Sequence, residues 1–448
     1  MGTGVFTNDR AGMMGRSSNL ILPLFMLVIS FSVMVRPLSA QDTTDYYASG
    51  YLRYENFVYN KNIRTVVFEQ ANLRLSDPVI ELNRPEKLIL SFDDLEGDYK
   101  NYMYTLIHCD AAWNPSSLLQ NEYLSGFTED RIINYRTSFN TLQPYTHYEQ
   151  EIPGREVLPI LSGNYLVKVY VEGAPETPVL TRRMMVLHTR ATIEANVHRA
   201  TIVNDMDRKQ EVDFSIFHQG LQVVNPFEDI KVIIQQNSRW DNSISGLRPL
   251  FLKDNELDYN YEEENTFNAG NEFRTFDTRT LRMQTQFVEN ILRTETGYTV
   301  VLTTDLSRSF GRYVTENDIN GKFLVKTQDG RDNDLEGEYA SVKFTLKHEI
   351  LTNGNFYVFG ALSDWKTTPE NKMVYNDDEA RYEALLFLKQ GYYDYQYVFV
   401  PDGALIADET VVEGSHYETE NEYNIFVYYR GTGTRYDALV AFKKLKSR

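Results

Sequence analysis

From Ala340 to Lys347 the chain sets Ala340, Val342, Phe344 and Leu346 on one side and Ser341, Lys343, Thr345 and Lys347 on the other. A period of two does not fit a helix, whose faces repeat about every 3.6 residues; it specifies a strand with one buried face. The same alternation recurs at 87–93, 102–109, 165–171 and 212–216. Between these runs stand turn-forming groups such as Asp77-Pro78, Glu96-Gly97-Asp98, Ser162-Gly163-Asn164 and Asn225-Pro226. An aromatic content of 13% suits pleated, half-buried surfaces. Short strands with this spacing predict an all-β chain of tandem immunoglobulin-like β-sandwiches.

At 448 residues the chain is too long for one ordinary core. The composition shifts suggest a leader at 1–40, then domains at 41–190, 191–347 and 348–448. Residues 281–293 fit either a helix or a strand, with strand preferred. The acidic, Asn-rich stretch 254–272 reads as a solvated hairpin or loop.

Arg10 and Arg16 precede an uncharged run, Leu20–Val35, and Leu38-Ser39-Ala40 follows it. That order predicts a secretory signal cleaved after Ala40. The run is shorter than the roughly 20 residues of a membrane span, and Pro23 interrupts it. With 63 acidic against 45 basic residues, net charge −18, the surface repels nucleic acid and anionic membrane faces. Cys109 is the single cysteine, so no internal disulfide forms. These features predict an exported periplasmic protein with no direct membrane span.

The chemistry-bearing motifs are few. His108-Cys109-Asp110 invites a thiolate–imidazole reading, but neighbours on a strand point to opposite faces, and Cys109 falls among Met103, Thr105 and Ile107. No Gly-x-Ser-x-Gly, His-Glu-x-x-His, phosphate loop or cysteine pair for zinc occurs. The run 329–334 has a calcium-loop look without the ligand spacing of one, and a polar turn fits it better. The expectation is a protein that is not an enzyme and has no cofactor. Arg182 reads as a buried charge. The turn 236–242 either pins Trp240 or forms an interface.

At Asn114-Pro115 the strand breaks into a long segment rich in aromatics, Trp113, Tyr123, Phe127, Tyr135, Phe139, Tyr145 and Tyr148. A long aromatic loop on a β scaffold suits partner binding, with Trp113, Tyr123 and Phe127 as candidate anchors. The same rings could equally close the first domain's own core.

Two resemblances add to this reading. Residues 357–365, 391–403 and 422–427 resemble an early-set immunoglobulin-like module of the glycogen-binding type. In that family the residue matching Trp365 stacks on a sugar. Here Pro401 is inserted and Leu405 stands near the place of the second platform aromatic, so the module reads as structural, with carbohydrate binding at Trp365 as the alternative. More broadly, 62–66, His108-Cys109-Asp110, Trp113-Asn114-Pro115-Ser116, 122–127, 138–141, 145–148, 162–165 and Thr181-Arg182-Arg183, extended by Gln236-Asn237 with Arg239-Trp240 and by 318–321, in this order, resemble the type IX secretion system plug proteins. That resemblance implies a periplasmic, non-enzymatic β protein, peripheral to the outer membrane. Its partners would be the large translocon barrel, whose periplasmic mouth it closes, and the barrel's associated subunits.

Overall fold

Leu88, Leu90 and Phe92 turn to one side of Leu88–Asp94, and Tyr102, Tyr104 and Leu106 to one side of Tyr102–Cys109; all six lie in one core. The alternation thus does what it specifies, giving each strand one face for the interior of a two-sheet sandwich. The computed structural model describes Met1 and residues 51–448. The expected leader and its cleavage site lie outside the described residues.

The first sandwich joins two sheets. One runs Phe57–Val58, Pro178–Leu187, Gly163–Val171, Tyr102–Cys109, Glu129–Ile132, with Val79–Glu81 added parallel to Pro178–Leu187. The other runs Ile63–Gln70, Leu88–Asp94, Thr146–Ile152, Asn134–Thr137. A second sandwich packs Thr192–Arg199, Lys209–Phe217, Glu256–Asp258 and Phe251–Lys253 against Ile244–Ser245, Ile230–Gln236, Glu422–Tyr429 and Ala438–Lys446. A third has Gly391–Pro401 at the centre of one layer and Tyr339–Lys347 beside Arg381–Lys389 in the other, around Phe276, Phe344, Phe356 and Tyr395.

The strand pairing corrects the expected boundary between 191–347 and 348–448. Tyr339–Lys347 pairs with Arg381–Lys389, across that boundary. Glu422–Tyr429 pairs with Ile230–Gln236 and completes the second core. The third sandwich, from Arg274 to Glu413, is therefore inserted into the second. Periodicity shows that a strand has a buried face but not which sheet receives it. Of the early-set pieces, Gly354–Phe359 and Gly391–Pro401 do pair, whereas residues 422–427 belong to the neighbouring sandwich. Within 281–293 only Val288–Arg293 is a strand, and 254–272 begins as a hairpin with Phe251–Lys253.

Each sandwich also packs on both others. Between the first and second, Cys109, Trp113, Leu166 and Met185 meet Ile233, Phe426, Tyr428 and Leu439 in a separate apolar cluster. Between the first and third, Asp93 is buried, with Lys389 Nζ at 2.6 Å, Tyr339 OH at 2.7 Å and His147 Nδ1 at 2.6 Å. Burial alone would raise the Asp93 pKa; Lys389 and His147 overcome it and hold the carboxyl below its usual range. All three sandwiches meet where Lys444 bridges Asp77 (3.0 Å) and Glu422 (2.7 Å), while Lys322 reaches Glu422 (3.1 Å) and Leu75 O (2.8 Å).

Candidate functional site

The long aromatic segment leaves its strand at Cys109 and touches the three sandwiches in turn. At its start, Asp110 Oδ1 accepts from the backbone N–H groups of Ala112 and Asn114, both at 2.9 Å, and closes a tight turn. Ala111 N donates to Asp437 Oδ2 of the second sandwich at 2.9 Å. Trp113 follows, buried, edge-on to Trp240 with ring centres 5.2 Å apart. The Arg183 guanidinium lies against both rings, at 4.4 and 4.8 Å, and donates to Tyr54 O. In the middle, Tyr123 is buried against His108 and Tyr165 in the first core.

The far end docks on the third sandwich. Arg136 pairs with Asp332 at 2.9 Å, and Phe139 N donates to Leu335 O at 2.9 Å. Glu338 accepts from Leu142 N and Gln143 N at 2.5 and 3.1 Å. Tyr145 OH donates to Asp334 O and Gly337 O, each at 2.9 Å, and its ring lies 4.1 Å from Lys389 Nζ. The segment is a strap that ties the sandwiches together.

This placement corrects the expected anchors. Trp113 and Tyr123 are each only 4% exposed, committed to internal packing, and out of a partner's reach. Phe127 is 63% exposed. It ends a short ribbon in which Leu124–Gly126 pairs with Val157–Pro159, and its N–H donates to Glu156 O at 2.7 Å. Gly126 sits at φ +88°, where a Cβ would stand 2.0 Å from Glu156 O, so glycine is required for the ribbon to close. Leu158 and Ile160, on the returning strand and just past it, are exposed as well. Phe127, Leu158 and Ile160 make an apolar ridge on a β scaffold. Alternation within 157–160 signals it weakly, because a three-residue strand is too short to read.

Trp365 is half-buried, set edge-on to Phe273 and Phe359 with Arg239 5.3 Å from its ring centre. Gly321 passes so near that a Cβ there would lie 2.3 Å from the Trp365 ring. The Trp365 ring is thus held by contacts within the protein. The turn 236–242 serves internal interfaces: Arg239 faces the third sandwich and Trp240 the first. Arg182 is buried beside Asp364 at 3.1 Å.

Cys109 and His108 lie on opposite faces, the thiol in the inter-sandwich cluster and the imidazole in the first core. Burial pushes the thiol up to about 12 and the imidazole down to about 4, so neither is charged near neutrality. In the calcium-like run, Asp329 accepts from Thr280, Leu281 N and Gln390, as a polar turn requires. Among the described residues no helix is long and apolar enough to cross a membrane.

Residues 63–188 match the family model described as the type 9 secretion system plug protein 1st domain. The fold is similar to the crystal structure of a hypothetical protein from Parabacteroides merdae ATCC 43184, determined at 2.30 Å resolution. The two are 34% identical with a TM-score of 0.86, over 88% of this chain and 100% of that one. No curated protein matches the chain.

Proposed function

The chain belongs to the type IX secretion system plug protein family, and from that premise we propose that it is a periplasmic, non-enzymatic stopper that binds and occludes the periplasmic mouth of the outer-membrane translocon barrel. The observation that carries this reading is the family match at 63–188, which spans the whole aromatic strap. A wide aqueous barrel is a leak for solutes, and only a large, rigid body closes it. The straps and buried charge pairs between sandwiches supply that rigidity, since a body held at three junctions keeps its outline under load.

A stopper must also leave, so its contact should be a small apolar patch in a polar surround rather than a core-like interface. The ridge of Phe127, Leu158 and Ile160 fits this description, and we assign Phe127 as its anchor. No step calls for a cofactor or a reactive side chain, because occlusion is steric.

The test is affinity capture from detergent-solubilised outer membrane. Wild-type protein is expected to retain one very large barrel with its associated subunits. Phe127→Asp, folded to the same unfolding midpoint, is expected to lose it. Deleting the gene should make the outer membrane permeable to large solutes. Capture of no barrel, with permeability unchanged on deletion, defeats the reading.

A further inference from the structure

On the outer face of the second sandwich three metal-ligating side chains converge. Val212, Phe214 and Ile216 turn into the core, so Glu211 and Asp213 share the opposite face of Lys209–Phe217. His198 on Thr192–Arg199 stands directly opposite Glu211 in register, and so joins them on that face. One donor atom from each lies within 4.8 Å of the others. His198 Nε2 is 2.7 Å from Asp213 Oδ2 and 3.8 Å from Glu211 Oε1.

The far atom of every one of these side chains is tied down. His198 Nδ1 lies 2.7 Å from Arg199 O and donates to it, which orients Nε2 toward the carboxylates, where it hydrogen-bonds Asp213 Oδ2 and would exchange that proton for a metal. Glu211 Oε2 accepts from Thr201 N at 2.7 Å, and Oε1, on the side of His198, accepts a longer bond from Thr201 Oγ1 at 3.2 Å. Asp213 Oδ1 accepts from Asn265 Nδ2 at 3.0 Å, and Oδ2, on the side of His198, lies 3.2 Å from the Asn260 amide nitrogen. Asn265 is fully buried, and the Oδ1 of the same amide has no hydrogen-bond partner. Oriented ligands with their outer atoms held by carbonyl, amide and backbone N–H are how proteins build a metal site.

Charge points the same way. Glu211 is 1% exposed, and among the described residues no lysine or arginine pairs with it or with Asp213. The nearby cations are spent elsewhere: Arg199 on Asp207 and Met206 O, Lys209 on Asp205. A buried carboxylate beside a second one needs a positive charge between them, which a protonated His198 or a bound cation supplies.

We propose that His198, Glu211 and Asp213 bind one divalent cation of the zinc class. Imidazole nitrogen and carboxylate oxygen are both zinc ligands, and three of them leave a fourth tetrahedral position open. Tetrahedral ligands about 2 Å from zinc stand ~3.3 Å apart, a value between the 2.7 and 3.8 Å found here, so small side-chain rotations complete the site. His198 is about one-third exposed, which leaves the metal an entry path. Its occupant would staple Thr192–Arg199 to Lys209–Phe217 and, through Asn265, to the loop that follows the hairpin. The inference stands apart from the plug reading, and either one survives the failure of the other.

The test uses the full exported chain, stripped with chelator and titrated with Zn²⁺ by calorimetry. One equivalent is expected to bind, with a rise in Tm on metal addition. His198→Gln and Asp213→Asn, both at partly exposed positions that leave the core intact, are each expected to lower affinity at least tenfold. In parallel, imidazole nitrogen resonances should show the His198 Nε2 signal moving on addition of Zn²⁺. No binding by the stripped protein overturns the proposal. So does binding that is unchanged in both variants, or that moves another histidine instead, and an imidazolium at His198 is then the charge that the carboxylates share.

Discussion

Asp394 sits at the middle of Gly391–Pro401, fully buried, with Oδ2 accepting from Ile319 N at 2.6 Å and Gly321 N at 3.1 Å. Its Oδ1 has no partner. Burial first, and the neighbouring Asp318 second, push its pKa up to about 8; burial pushes Asp318 up to about 6. Between 3.8 and about 8 the folded chain keeps a proton on Asp394 that the unfolded chain has released. Stability therefore falls as pH rises through that window, by at most about 1.4 kcal/mol per pH unit from this group. His108, held low by burial, gives the opposite slope below its ordinary 6.5. Asp394→Asn keeps an oxygen for both backbone donors and cannot ionise. Urea unfolding at pH 5 and pH 8 is expected to show a smaller loss on going to pH 8 than in wild type, and an equal loss would refute the assignment. The Asp93–Lys389 pair offers a second residue-scale test. Lys389→Met leaves a buried carboxylate with only Tyr339 and His147 for company, and should cost about 3–5 kcal/mol in chemical denaturation. Adding Asp93→Asn to it should recover part of that loss.

At the scale of elements, the insertion of one sandwich into another makes a direct prediction. A fragment of residues 348–448 carries Glu422–Tyr429 and Ala438–Lys446 without Ile230–Gln236, and Gly391–Pro401 without Arg274–Asp277. Both of its half-cores are open. It is expected to be insoluble or to lack dispersed amide resonances, whereas a fragment of 274–413 holds one whole core and should fold; a well-folded 348–448 would contradict the pairing. The individual strands were legible beforehand. Ala340, Val342, Phe344 and Leu346 are all buried, as their spacing demands, because burial of one pleated face is a local property. Strand partners were not, since Ile425 and Val427 would fit any apolar sheet. The candidate site was half legible for the same reason. Aromatic density marked out the strap, but nothing local separates Trp113, which meets Trp240 and Arg183 from distant parts of the chain, from Phe127, which meets solvent. Arg183 shows the limit best: nothing in its local sequence points to an aromatic contact, and only the fold brings two indole rings to it.

For the molecule as a whole the question is whether three sandwiches move as one. Contacts between domains of one chain are commonly polar and modest, and relative motion is then the rule. Here residues 51–448 lie within a single compact unit, and the junctions are of two kinds. The first-to-second junction is apolar, built on Trp113, Trp240, Phe426 and Tyr428. The first-to-third junction is a desolvated charge, Asp93 with Lys389, clamped by the end of the strap. Neither can open without exposing a large ring or an unpaired ion, so opening one junction costs a large share of the stability of a domain. Thermal unfolding is accordingly expected as one transition, with calorimetric and van't Hoff enthalpies nearly equal. Trp240→Ala should uncouple the second sandwich and split the transition, because it removes the ring against which both Trp113 and Arg183 pack. Phe127→Ala should leave transition and midpoint as they are, since an exposed ring holds nothing together, and yet weaken capture of the barrel. Two resolved transitions in the wild-type protein would mean that the modules swing independently, and a stopper of fixed outline would then have no physical basis.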